Sequence, residues 1–169
     1  DTNLKEFESA EKKVNSLIKK FLNNKGSEPV DYFHKKLGKI MWNKCGMSRN
    51  KKDLELAIKE IRDLKVEFNN NVYVPGTGDE FNEELAKAGR VADFIELGEL
   101  FAIDALSREE SCGGHFREEH QSKEGEALRR DDLFSFVSAW EFVVNDSSHK
   151  LNKEPLKFEN IELKTRSYK

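Results

Sequence analysis

Residues 50–71 read NKKDLELAIKEIRDLKVEFNNN, and Leu54, Ala57, Ile58, Ile61, Leu64 and Phe68 recur there every three or four positions. That period belongs to a helix with one apolar face, flanked by Lys, Glu, Arg and Asp. Asn50 and Asp53 form a cap pair at its start, where a short polar side chain can accept a free backbone N–H. A single amphipathic helix gains most of its stability from packing that face. The fold therefore turns on whether the flanking sequence supplies neighbours.

It does. Upstream, Phe7, Ala10, Val14, Leu17, Ile18 and Phe21 line a first helix, ending in Asn23-Asn24-Lys25-Gly26 with Gly26 expected in the left-handed C′ conformation. Ser27 and Pro29 offer an N-cap and an early-turn proline for a second helix through Phe33, Leu37, Ile40 and Met41, closed by Gly46. Downstream, NNNVYVPGTGDE at 69–80 is a connector by its Asn, Pro and Gly content. A long fourth helix carries Phe81, Leu85, Ala88, Ala92 and Ile95 on one stripe, with Phe94, Leu97, Phe101 and Ala105 beside it. Core packing is expected of all these stripes, and the broad arc of the fourth implies more than one neighbour.

After residue 106 the period changes. In LFSFVSAWEFVV at 133–144, Phe134, Phe136, Trp140, Phe142 and Val144 share one side at period two, as in a strand. Asn145-Asp146-Ser147-Ser148 is expected to turn, and PLKFENIELKT at 155–165 to supply one or two short strands. The expected fold is mainly α: an antiparallel helical bundle over 1–106, then a loop-rich docking tail over 107–169 with a small antiparallel β-sheet.

The chain has 169 residues, 37% hydrophobic and 36% charged, with twelve Phe and a formal net charge of −3. Length and aromatic content suit a packed domain rather than a disordered chain. The charge gives no support for a nucleic-acid partner or an anionic membrane surface. The first residue is Asp1 and the only methionines are Met41 and Met47, so a piece of a longer polypeptide is expected. Cys45 and Cys112 lie far apart and suggest no disulfide framework; reduced thiols are the default.

The chemistry, if any, concentrates in SREESCGGHFREEHQ at 107–121. Cys112, His115 and His120 could offer a metal one thiolate and two imidazoles, but C-x2-H-x4-H is a weak zinc spacing. Cys112 beside His115 could be a nucleophile pair, yet the sequence offers no oxyanion hole to go with it. No GxGxxG phosphate cradle is present. Arg108, Arg117, Arg129 and Arg130 alternate with Glu109, Glu110, Glu118, Glu119, Asp131 and Asp132. Packed on another domain, Arg forks could bind its carboxylates or carbonyls, and Gly113-Gly114 would let the chain turn tightly or approach closely. On this docking reading no metal is bound, the loop is among the more mobile parts of the chain, and Arg117→Ala leaves its melting temperature almost unchanged.

The order ESCGGHFR at 110–117, then Arg130-Asp131-Asp132, then Arg166-Ser167-Tyr168, resembles the C-terminal end of the succinate dehydrogenase and fumarate reductase flavoprotein subunit. That family carries E-S-R-G-A-H-x-R, R-D-D and a closing R-[ST]-Y. MWNKCGMSRNKKDLELAIKEIRDL at 41–64 is similar to its helical segment, and the likeness covers essentially the whole chain. Cys112 stands where many members have Arg, and Gly114 where they have Ala, in the manner of a bacterial branch. The resemblance implies a parent protein that interconverts succinate and fumarate with FAD in a separate domain. It implies electron transfer to an iron–sulfur subunit and quinone, through a complex with a membrane cytochrome b subunit on the cytoplasmic side of the bacterial inner membrane. It makes this chain a catalytically silent scaffold, with no cofactor or metal of its own. Ser111, Gly113, Gly114, His115, Arg117, Arg130, Asp131, Asp132, Arg166 and Tyr168 would then dock on the flavin domain. L-aspartate oxidase, which shares the helical architecture, and a free-standing helical interaction module with a minor metal site are the alternatives.

Overall fold

The computed structural model describes residues 3–143 and 148–164. Helix α3 (Lys51–Asn71) starts as its sequence demands: Asn50 Oδ1 accepts the Asp53 N–H at 2.9 Å, and Asn50 Nδ2 donates to Asp53 Oδ2 at 2.8 Å. It buries Leu54, Ala57, Ile61, Leu64 and Phe68, with Ile58 partly covered at the edge. Helix α2 (Val30–Cys45) lays Phe33, Leu37 and Ile40 on that face and ends at Gly46. Helix α4 (Glu83–Ser107) adds Ala88, Val91, Ile95, Ala102 and Ala105, and its N-cap Asn82 accepts the Leu85 N–H at 2.9 Å. Gly98 lets α4 approach α2 closely: an added Cβ would sit 3.3 Å from Leu37 Cδ1 and 3.4 Å from Met41 Sδ. Phe33 meets Phe68 edge-on at 5.1 Å, and Phe21 of helix α1 (Lys5–Asn23) meets Phe68 at 5.8 Å.

Several expectations need correction. Helix α1 reaches the core only near its C-terminal end; Phe7, Val14 and Leu17 lie on the surface. The outer stripe of α4 is also exposed at Phe94, Leu97 and Phe101, and Phe81 lies free before the helix starts. Gly26 is not left-handed; a Cβ there would come within 2.1 Å of the Asn71 carbonyl group, so close backbone approach is what requires glycine. Pro29, not Ser27, precedes the first turn of α2, while the Ser27 N–H bonds Asn71 Oδ1 at 3.0 Å. The reason is tertiary. Strand β1 (Glu28–Pro29) pairs in parallel with β3 (Val72–Tyr73), which holds the α1–α2 connection extended against the end of α3.

A second parallel pair positions the site. Strand β2 (Ser48–Arg49), in the α2–α3 connection, pairs with β4 (Phe116–Arg117) in the tail. A short turn of helix, α5 (Asp131–Phe134), leads into a hairpin of β5 (Phe136–Val143) and β6 (Ser148–Pro155). The strand expected at 155–165 is thus replaced by the less apolar SHKLNKEP, whose backbone completes the ladder; residues 156–164 are not in a strand. Most of the expected turn, with Val144, lies outside the described residues, though the hairpin closes from Val143 to Ser148. Trp140 ties the hairpin to α4 through Nε1, which donates to Asp104 Oδ1 at 2.7 Å. No helix of the described residues is long and apolar enough to cross a membrane.

Candidate docking loop

The loop expected to carry chemistry is built around the C-terminal end of α4, whose last carbonyls have no helical partners of their own. Arg117 enters from β4 and answers them. Its Nη1 donates to the carbonyls of Ala105 at 3.0 Å, Leu106 at 3.2 Å and Arg108 at 3.4 Å. A cation at a helix C-terminus also offsets the negative end of the dipole. Arg117 is only 2% exposed. The fork expected to reach a neighbouring domain closes on this chain instead, so its loss is now expected to lower stability.

Ser111 is equally internal. Its Oγ accepts the Arg117 N–H at 2.8 Å and donates to the Arg117 carbonyl at 3.2 Å, while its N–H bonds the Leu128 carbonyl at 2.9 Å. Glu110 is buried beside it, accepting from Arg108 Nε at 2.9 Å and the Arg130 N–H at 3.0 Å. Asp131 pairs with Arg129 at 2.6 Å, and Asp132 is exposed in the first turn of α5. Arg166 and Tyr168 lie outside the described residues.

From this base only a tip projects. Cys112 and His115 exchange both backbone hydrogen bonds, at 2.8 and 3.0 Å, around Gly113-Gly114. Gly113 has φ +59°, the left-handed value a type II′ turn needs at its first central position. At Gly114 an added Cβ would meet nothing within 4 Å, so space within this chain does not demand glycine there. Cys112, Gly113 and Gly114 are exposed and His115 is half-buried.

His115 sits where a metal would need it free. Its Nε2 lies 2.9 Å from the Arg108 carbonyl and its Nδ1 2.9 Å from Arg49 Nη1, so both ring nitrogens are engaged. Among the described residues no group of three His, Cys, Asp or Glu side chains converges on one point. Arg49 also donates through Nε to the carbonyls of Cys45 at 3.2 Å and Gly46 at 2.9 Å, and lies over the Phe101 ring at 5.0 Å. Sequence reasoning passed over Arg49; its one signal was an Arg in the break between two helices.

It also passed over Glu119 as a cap for α3 and Glu118 as a support for the residues before it. Glu118 accepts from Ser48 Oγ at 2.7 Å, and Glu119 accepts the Lys51 N–H at the first turn of α3. Burial pushes the Glu119 carboxyl up, but hydrogen bonds from Lys51 and Arg117 outweigh it and hold the group below its ordinary value.

Beside the loop runs an apolar groove of about 310 Å3 between α2 and α4, lined by Leu37, Met41, Phe94, Leu97 and Phe101 among others. Phe101 also borders a second cavity with Arg49, Asp104, Arg108, Cys112 and His115, so groove and loop form one continuous surface. The described residues do not fit a flavin. The parallel pairings are two residues long, with no strand–glycine–helix turn to hold a pyrophosphate.

Comparisons with known proteins agree with the architecture. The fumarate reductase flavoprotein subunit of Helicobacter pylori strain J99 is 29% identical over 139 residues, 82% of this chain and 19% of the relative. The same subunit of Proteus vulgaris is 30% identical over 59% of this chain and 17% of its own length. The chain thus spans about a fifth of the curated relatives it matches. A solved quinol–fumarate reductase with menaquinol molecules superposes with a TM-score of 0.79 at 23% identity, covering 96% of this chain and 27% of that one, a likeness of fold. The family model for the fumarate reductase flavoprotein C-terminal region matches residues 34–168, and the chain belongs to that family.

Proposed function

We propose that this chain is the C-terminal scaffold of a flavoprotein subunit that interconverts succinate and fumarate, and that it docks on the flavin-binding domain of the same polypeptide. Membership of the flavoprotein family supports the parent reading. The single observation that carries the docking reading is the exposed apolar surface along α4. Phe94 is 42%, Leu97 61% and Phe101 46% exposed on a groove that continues into the Cys112–His115 turn. Exposed apolar surface of this extent commonly marks an interface.

On this reading the residues divide by position. Ser111, Arg117 and Glu110 hold the loop in shape, whereas Gly113, Gly114 and His115 present its tip, with Arg130, Asp131, Asp132, Arg166 and Tyr168 as further docking residues. FAD belongs to the docked domain. An iron–sulfur subunit, a membrane cytochrome b subunit and quinone are the proposed route for electrons, at the cytoplasmic face of the bacterial inner membrane.

The test uses the complete reading frame. Leu97→Asp should lower flavin retention and succinate-driven dye reduction, because it places a charge at the interface. Full retention of flavin and turnover in that variant would overturn the docking face. Absence of a flavin spectrum and of succinate turnover in the unmutated protein would overturn the parent activity instead.

A further inference from the structure

The bonds at His115 admit one protonation state. Arg49 has only N–H groups to offer, so the Nδ1 atom 2.9 Å away must accept. The Arg108 carbonyl can only accept, so Nε2 must carry the hydrogen. Both bonds hold in the neutral Nε2–H tautomer and in no other form. A second proton, on Nδ1, would point an N–H at a guanidinium.

We propose that His115 is a proton-operated latch: neutral, it ties the α2–α3 connection to the Cys112–Gly114 turn, and protonation releases that tie. The two elements it joins are distant in sequence, and other direct links nearby are the two-residue β2–β4 pairing, the Ser48–Glu118 bond and the Glu119 cap on Lys51. The ring lies on a cavity of about 310 Å3 through which a proton has access.

The charged groups around it favour the neutral ring. Arg49 faces it from β2, Arg108 from the end of α4 and Arg117 from β4, while Asp104 of α4 and Cys112 of the turn border the same cavity. The Asp104 carboxylate is already engaged by Trp140. Burial is the largest cause holding the His115 pKa below its ordinary value; the bond to the Arg108 carbonyl opposes it, and the three arginines reinforce it.

With the folded pKa depressed, the latch is closed above the unfolded value of about 6.5 and is lost as pH falls through the lower folded pKa. This inference concerns the chain's own α2–α3 connection and turn, and stands whether or not the parent activity is as proposed.

The test is an NMR titration of the uniformly 15N-labelled protein. Expected at neutral pH is the Nε2–H tautomer of His115. On acidification its ring and Arg49 Nε should shift in one step below the ordinary histidine range. The Cys112 and His115 amides should then exchange about tenfold faster after correction for intrinsic rates. In Arg49→Gln the His115 step should move to higher pH, and if that variant fails to fold the wild-type titration decides. An Nδ1–H tautomer, an ordinary His115 titration, or a titration that leaves Arg49 and the turn amides unmoved would each overturn the latch.

Discussion

Helix α3 and the outer stripe of α4 are alike in sequence and opposite in fate. Both repeat large apolar residues at helical spacing, yet Leu54, Ile61 and Leu64 are at most 1% exposed while Phe94, Leu97 and Phe101 stand in the open. Helix α1 repeats the lesson with Phe7, Val14 and Leu17. Periodicity states that a face is apolar; only the neighbours present decide whether it is covered. A face left bare in an otherwise well-packed bundle is where another domain is to be sought.

The largest effect expected from that contrast is at Ile61. Ile61→Asp buries a carboxyl among Leu, Ile and Phe side chains and should cost about 4 kcal/mol or more in thermal or urea unfolding. An unchanged midpoint would mean that α3 does not hold the core. Arg117→Ala comes next: it leaves the Ala105 and Leu106 carbonyls unanswered at a buried helix end, which should lower stability by about 3 kcal/mol. If Arg117→Ala melts like the parent, the guanidinium is not the plug the geometry describes.

Smaller is Trp140→Phe, which keeps an aromatic ring but deletes the bond to Asp104. The expected loss is about 1 kcal/mol, read as faster hydrogen exchange in β5. Smallest is Leu97→Asp in this chain, within about 0.5 kcal/mol because the site is exposed. A loss of several kcal/mol there would show that the α4 outer stripe is already part of the core.

How far the sequence announced this structure depends on the range of the forces involved. The four helices and the Asn50–Asp53 cap rest on residues three or four apart, and these were legible. So was the glycine turn at 113–114. What sequence missed is long-range. Glu119 caps a helix 68 residues upstream, Arg49 meets His115 across 66, and neither distance leaves a local mark. Arg117 was misread because arginine is seldom fully buried, and here three helix-end carbonyls stabilise one that is. The second strand was misplaced because SHKLNKEP has little apolar alternation, and it pairs through its backbone and polar side chains such as Lys153 over Phe136 and Asn152 on Glu141. The family resemblance was carried by the motif order at 110–117, 130–132 and 166–168, not by any of these contacts.

The contrast between covered and bare stripes has one direct measurement. Hydroxyl-radical footprinting can compare this chain with the complete polypeptide at Phe94, Leu97 and Phe101, using Phe33 and Phe68 as buried references. The expected result is several-fold protection of the three α4 residues in the complete polypeptide, with Phe33 and Phe68 unreactive in both forms. Equal reactivity of Phe94, Leu97 and Phe101 in the two forms would contradict the docking face.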